Sequence, residues 1–123
     1  MARPQRSRRI CALPEYTRFS PVGGERQAAV VLSLDEYEAF RLMDYTGCTH
    51  EQCAAIMQIS RTTATEIYAS ARRKIADALV NGKAVVFDGG SVRLCDHAAS
   101  GHCLECGLPQ KFAEAQNRVS ETS

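Results

Sequence analysis

Apolar residues recur at helical spacing over residues 49–79, the longest patterned stretch of the chain. Cys53, Ala54 and Met57 mark one face of a first helix. Ala64, Ile67, Tyr68, Ala71, Ile75 and Ala78 or Leu79 mark one face of a longer second helix over residues 60–80. Gln58 and Ile59 interrupt the pattern between them. Thr49 with Gln52 has the spacing of a capping box, and Ser60 suits the N-cap of the second helix. Gln58 stands where the turn favours glycine, and a positive φ there costs a non-glycine residue ~1 kcal/mol.

Upstream, residues 28–32 are apolar and β-branched at their centre, which predicts a buried strand. Ser33 and Glu36 form a second capping-box pair, opening a helix whose Leu34, Tyr37, Phe40 and Leu42 face the core and which Gly47 closes. Residues 9–13 alternate weakly, as a short strand. Pro14 and the Pro21-Val-Gly-Gly run bracket an irregular loop. Downstream, Gly82 stops the long helix. Residues 83–87, Asp88-Gly89-Gly90 and residues 91–94 then read as a β-hairpin in which Val85 and Phe87 face Val92 and Leu94. A short helix is expected over residues 110–116. The expected fold is mainly α with a small β part: a three-helix domain, a hairpin in the position of a wing, and a Cys-rich tail. Its units are a basic arm and loop (1–27), the helical domain with hairpin (28–95) and the tail (96–123).

Length and composition narrow this further. The 123 residues, 45% hydrophobic, suffice for one core and not two. A net charge of +1 excludes a globally basic nucleic-acid binder. The charge is uneven, however. Arg3, Arg6, Arg8 and Arg9 make residues 1–9 basic, and Arg72, Arg73 and Lys74 cluster on the long helix. Asp35, Glu36, Glu38 and Asp44 make the preceding helix acidic. Local basic patches attract phosphate even at near-zero total charge. The sequence has neither an apolar run of membrane length nor a signal-peptide core, so a cytoplasmic protein is expected, without membrane contact. In that compartment six cysteines serve as thiols or metal ligands more readily than as disulfides.

Two constellations carry chemistry. The first is a short helix, a turn, and a second helix whose exposed side carries Arg61, Thr62, Thr63, Thr65 and Glu66, with Arg72 and Arg73 further along. That is a helix-turn-helix layout, in which the second helix enters the major groove. There arginine forks onto guanine and threonine meets a thymine methyl. Arg72 and Arg73 are then expected on phosphate, and Arg8 and Arg9 in a disordered arm along the backbone or minor groove. The plainer alternative is an αα-hairpin with solvated arginines.

The second constellation is Cys103-Leu-Glu-Cys106-Gly107, a two-thiolate knuckle, with Cys95 eight residues before it. A tetrahedral site needs a fourth ligand, and Cys11, His97 and His102 are the candidates. Cys11 qualifies if its strand pairs with the one ending at Cys95. Zinc is the expected metal. An iron–sulfur cluster or a reversible disulfide is the weaker alternative, because no four-cysteine run is complete within the segment. Cys53 is expected as a small core residue, Cys48 as a loop residue, and His50 as a surface histidine.

The run SRTTATEIYASARRKIADAL resembles the last helix-turn-helix of sigma factors (region four). The blocks RRICALPEYTRFSPVG, LSLDEYEAFRLMD and ARRKIADALVNGKAV together resemble a prokaryotic family catalogued as domain of unknown function 134, over residues 1–95. The resemblance implies DNA binding, since members are described as predicted DNA-binding proteins, and it supplies no chemistry beyond that. No nucleophile–base pair, paired acids or phosphate loop indicates an enzyme. The expectation is a regulator of transcription that binds double-stranded DNA sequence-specifically as a homodimer and carries a structural zinc. The alternatives are an adaptor docking on RNA polymerase and a redox- or metal-sensing regulator.

Overall fold

The computed structural model describes residues 7–95. In chain order the elements are β1 (Arg8–Ile10), β2 (Arg18–Phe19), β3 (Val30–Leu32), α1 (Leu34–Phe40), α2 (His50–Met57), α3 (Arg61–Asn81), β4 (Val85–Phe87) and β5 (Val92–Leu94). A π-helical turn, Arg41–Tyr45, extends α1. Three helices and a few short strands thus make a mixed α/β fold.

The helix ends follow local chemistry. Ser33 and Glu36 form a reciprocal capping box on α1, and Thr49 and Gln52 form another on α2. Ser60 accepts from the Thr63 N–H at the start of α3, and Gly82 ends that helix at φ 64°. Gln58 adopts the left-handed conformation expected of it, at φ 58° and ψ 47°. Ile59 N–H returns to the Ala54 carbonyl at 3.0 Å, which closes the turn between α2 and α3. The apolar face of α3 resolves into a seam of small residues, Ala64, Ala71 and Ala78, spaced by seven. Small side chains there let α1 and α2 approach the long helix closely. Leu79, one residue further on, is 79% exposed.

The core gathers Ile10, Leu42, Cys53 and Met57, all fully buried, with Ala39, Ile56 and Ala64 around them. Burying each larger apolar side chain contributes roughly 1.5–3 kcal/mol. Of the four residues expected to supply the inner face of α1 and its extension, Leu42 is buried, while Leu34, Tyr37 and Phe40 are half-buried. The acidic residues of α1 sit inside instead. Asp35, Glu36 and Glu38 are all buried, and each meets a base: Arg8 at 3.3 Å, Lys74 at 2.7 Å and Arg41 at 2.8 Å respectively. These pairs tie α1 to β1 and α3 and close its own first extension turn.

The expected hairpin does not form. β4 lies between β2, antiparallel, and β3, parallel, while β5 pairs in parallel with β1 in a separate two-stranded sheet. The cause lies in the connection. Asp88 N–H bonds to the Leu32 carbonyl, and the Gly89 carbonyl accepts from Leu34 N–H, so the link is laced onto the start of α1. Gly90 passes so close that a Cβ there would stand 2.8 Å from Asp35 Oδ1. The chain therefore crosses the N-terminus of α1 and emerges beside β1. Phe87 packs edge-on against Tyr37 and Phe19, at 5.2 and 6.1 Å between ring centres, rather than against Val92 or Leu94. β4 and β5 therefore do not make the hairpin expected in the position of a wing. Lys83, at the start of that stretch, pairs with Asp77 at 2.9 Å.

Candidate nucleic-acid interface and cysteine pair

Of the residues expected to read bases, Arg61, Thr62, Thr65 and Glu66 come together. They share an open concavity of about 350 Å³ with His50, at the N-terminus of α2. The crossing of α2 over the first turns of α3 builds it. His50 Nδ1 lies 2.8 Å from Thr65 Oγ1, and its ring meets Tyr68 edge-on. Arg61 Nε lies 3.1 Å from Glu51, with both side chains 66% exposed. An ion pair that open is worth little and exchanges readily for another acceptor. Thr63 is placed differently. Its N–H and hydroxyl are both engaged by the Ser60 cap, so it orders the helix start rather than lining the concavity.

One turn further along, Tyr68 donates its hydroxyl to Asp44 at 2.7 Å, and that hydrogen bond is the main reason its phenol is held above the usual range. Arg72 lies 3.3 Å from the same carboxylate and 5.5 Å over the Tyr68 ring. Asp44 thus holds the Arg72 guanidinium in place, and would compete for it with a phosphate. Arg73 is exposed beside it.

Arg8 and Arg9 are strand residues, not members of a disordered arm. β1 begins inside the stretch expected to be unstructured, because parallel pairing with β5 orders it. Arg8 is engaged by Asp35, and Arg9 Nε donates to the Ile56 carbonyl at 2.7 Å, at the C-terminal end of α2 where a cation is favoured. Arg93, on β5, donates to the Ser7 carbonyl and to the Gln58 side chain.

The β1–β5 register places Cys11 next to Cys95. Ile10 pairs with Leu94, and Cys95 N–H continues the ladder to the Ile10 carbonyl at 2.9 Å. Both thiols are buried and outside any disulfide, and the Cys95 side chain is close enough to act on the Cys11 thiol. Burial, then the charge of Glu38 and the neighbouring Cys95, push the Cys11 thiol up to about 12. The Cys11 N–H donates to Glu38. His97, His102, Cys103 and Cys106 lie outside the described residues. Among the described residues no three His, Cys, Asp or Glu side chains group as a metal site. Cys53 is a core residue as expected, fully buried, 3.8 Å from the Met57 sulfur and pushed up to about 12 by burial.

His50, Tyr68 and Asp44 are the members of this surface that periodicity did not single out as functional. His50 carried one signal, its place at the first position of a capped helix facing the next. No described helix is long and apolar enough to cross a membrane.

The fold and this surface define a small mixed α/β protein with two helices crossing through a tight turn. The family model described as "Protein of unknown function DUF134" matches residues 1–95, and the chain belongs to that family. It is 46% identical over 103 residues to a UPF0251 protein of Desulfitobacterium hafniense, covering 82% of each chain. It is 44% identical over 104 residues to a UPF0251 protein of Thermoanaerobacter pseudethanolicus, covering 83% of this chain and 88% of the relative. No solved structure matches it.

Proposed function

We propose that the protein is a sequence-specific DNA-binding regulator of transcription that uses α3 as a recognition helix. The observation that carries this reading is the exposed cluster Arg61, Thr62, Thr65 and Glu66 on the first turns of a helix set by a tight turn against α2. Arginine forks, threonine methyls and a carboxylate acceptor cover the groups that base edges offer in the major groove. His50 orders Thr65 within that cluster. Arg72 and Arg73 lie further along the same exposed side, where a groove-bound helix meets phosphate.

One such helix reads only a few base pairs, so the working unit is a homodimer. The tail cysteines, with Cys95, hold a structural zinc. Four protein ligands leave no position for a water nucleophile, so the site is not catalytic.

Selection of bound sequences from random duplex DNA at physiological salt tests the reading. Light scattering on the free and bound protein tests the dimer. A recovered motif with two half-sites is expected. Binding that shows neither a motif nor salt dependence beyond charge-driven background would instead identify an adaptor that docks on protein.

A further inference from the structure

We propose that Asp44 and Glu51 are built-in competitors for DNA: each carboxylate occupies one of the two arginines, Arg72 and Arg61, that α3 offers to the duplex, and so holds affinity below what the helix alone would give. This rests on the DNA reading above and deepens it by naming residues that attenuate binding.

The first argument is placement. Arg61 and Arg72 stand eleven positions apart, about three helical turns, so they lie on one side of α3 and roughly 16 Å apart along its axis. The stretch 44–51, from the π-helical turn to the start of α2, runs along that side in the opposite direction. Its contacts come in order. Glu51 meets Arg61 Nε at 3.1 Å, and His50 meets Thr65 at 2.8 Å. Asp44 then meets the Tyr68 hydroxyl at 2.7 Å and Arg72 Nε at 3.3 Å. Acids thus stand at both ends of the strip, each on an arginine.

The second argument is which partner moves. Asp44 is held by the Tyr68 hydroxyl. The stretch behind it is closed by hydrogen bonds from Thr46 N–H to the Arg41 carbonyl and from Cys48 N–H to the Leu42 carbonyl, at 2.9 and 2.8 Å, and Thr46 and Cys48 are buried. The arginine side chains are 66% and 61% exposed and can turn outward without disturbing any packing. Exchange is therefore a rotation of each arginine from its carboxylate to DNA. The carboxylate stays behind, facing the phosphate backbone that displaced it.

The third argument is magnitude. Binding breaks an ion pair and brings like charges together, but pairs this open are weak. Removing one carboxylate should raise affinity roughly two- to fivefold at low salt. Arg72 meets phosphate on every sequence, so the effect of Asp44 should be the same on every duplex. Such competition creates no base preference, because the pair must also break for the correct site.

The test measures binding of the full chain to a labelled mixed-sequence duplex at low salt by fluorescence anisotropy. Asp44→Asn, Arg72→Ala and the double variant form a cycle with the wild type. Asparagine keeps an acceptor for the Tyr68 hydroxyl, so the packing there is retained. Asp44→Asn should tighten binding two- to fivefold in the wild-type background and change it little in the Arg72→Ala background. Glu51→Gln and Arg61→Ala repeat the cycle at an exposed pair, on the duplex recovered by selection, with the same result expected. Equal gains with and without the arginine would reduce the acids to a general negative field and overturn the competition. Unchanged affinity in Asp44→Asn, beside a wild type that binds, would overturn it while leaving the DNA reading standing. A set of chains that binds no duplex would overturn both.

Discussion

Arg93 on β5 donates a hydrogen bond from its guanidinium to the side-chain carbonyl of Gln58, the one described non-glycine residue with a positive φ. The same guanidinium bonds to the Ser7 carbonyl. The two-stranded sheet thus reaches the turn that aims α3 through Arg93, beside the contact of Arg9 to the end of α2.

The Arg93–Gln58 pair predicts a measurable coupling. Arg93→Ala should cost about 1 kcal/mol, below the usual range for a charge-assisted hydrogen bond because the pair is exposed. Gln58→Gly should change stability little, since relief of the left-handed strain offsets the lost contact and the greater freedom of the unfolded chain. In the double variant the Arg93 substitution should cost less, because the Ser7 contact alone remains to be lost. Urea melts of the four proteins complete the cycle. Equal costs in both backgrounds would mean that the contact carries no coupling.

Much of the helical half was legible in the sequence because its determinants are local. Both capping boxes, the Ser60 cap and the left-handed Gln58 follow from residues within four positions of one another. The exposed face of α3 likewise follows from periodicity. The strand partners do not. Residues 83–94 have the pattern of a hairpin, and only the lacing of Asp88 and Gly89 onto α1 sends β5 to β1 instead. The burial of the α1 acids was not legible for a related reason: Asp35 and Glu36 are neutralised by Arg8 and Lys74, from elements distant in the chain. Arg8 and Arg9 looked free because their partners are likewise remote. His50 joins the candidate surface only through the angle at which α2 crosses α3.

Base reading and backbone positioning should separate by mutation. Arg61→Ala should cost ~1–3 kcal/mol on the selected site and relax one base preference, because its pair with Glu51 is open and exchangeable. Arg72→Ala should weaken all sequences alike. With Arg72 and Arg73 each on one phosphate, the slope of log K against log salt should be about −1.8 per chain, and Arg72→Ala should bring it to about −0.9. Titrations on matched and scrambled duplexes over a salt series read both quantities. An unaltered base preference in Arg61→Ala would remove α3 from the groove.

Acid should loosen the contact between α1 and α3 through Glu36. Burial pushes its carboxyl up, but hydrogen bonds from Lys74, Ser70 and Ser33 together outweigh burial and hold it below its ordinary 4.5. A depressed folded value means that the native state resists protonation. The resulting stability is present above about 4.5 and is lost as pH falls from there through the lower folded value. Glu36→Gln should therefore lower stability at neutral pH and flatten its decline as pH falls below the ordinary 4.5. Thermal melts at several pH values test this, and an unchanged slope would assign the acid sensitivity to other carboxylates.

The Glu38–Arg41 pair should behave as a buried ion pair whose removal depends on what replaces it. Glu38 is fully buried, accepts from the Cys11 N–H, and lies 2.8 Å from Arg41 Nε, while Arg41 Nη2 is buried without a partner. Taking away one member strands the other charge inside the protein, which typically costs 3–5 kcal/mol. Glu38→Ala should reach roughly that value, because it orphans the Arg41 guanidinium and leaves the Cys11 N–H without its acceptor. Glu38→Gln keeps an acceptor for that N–H and should cost less, though the guanidinium still lacks its counter-charge. Glu38→Met/Arg41→Met removes both charges and fills similar volume, so it should be less destabilising than either single removal of charge. Guanidinium melts of these variants order the three costs. If the double variant proves worse than Glu38→Ala, the pair contributes net stability of its own, and the desolvation argument fails for this site.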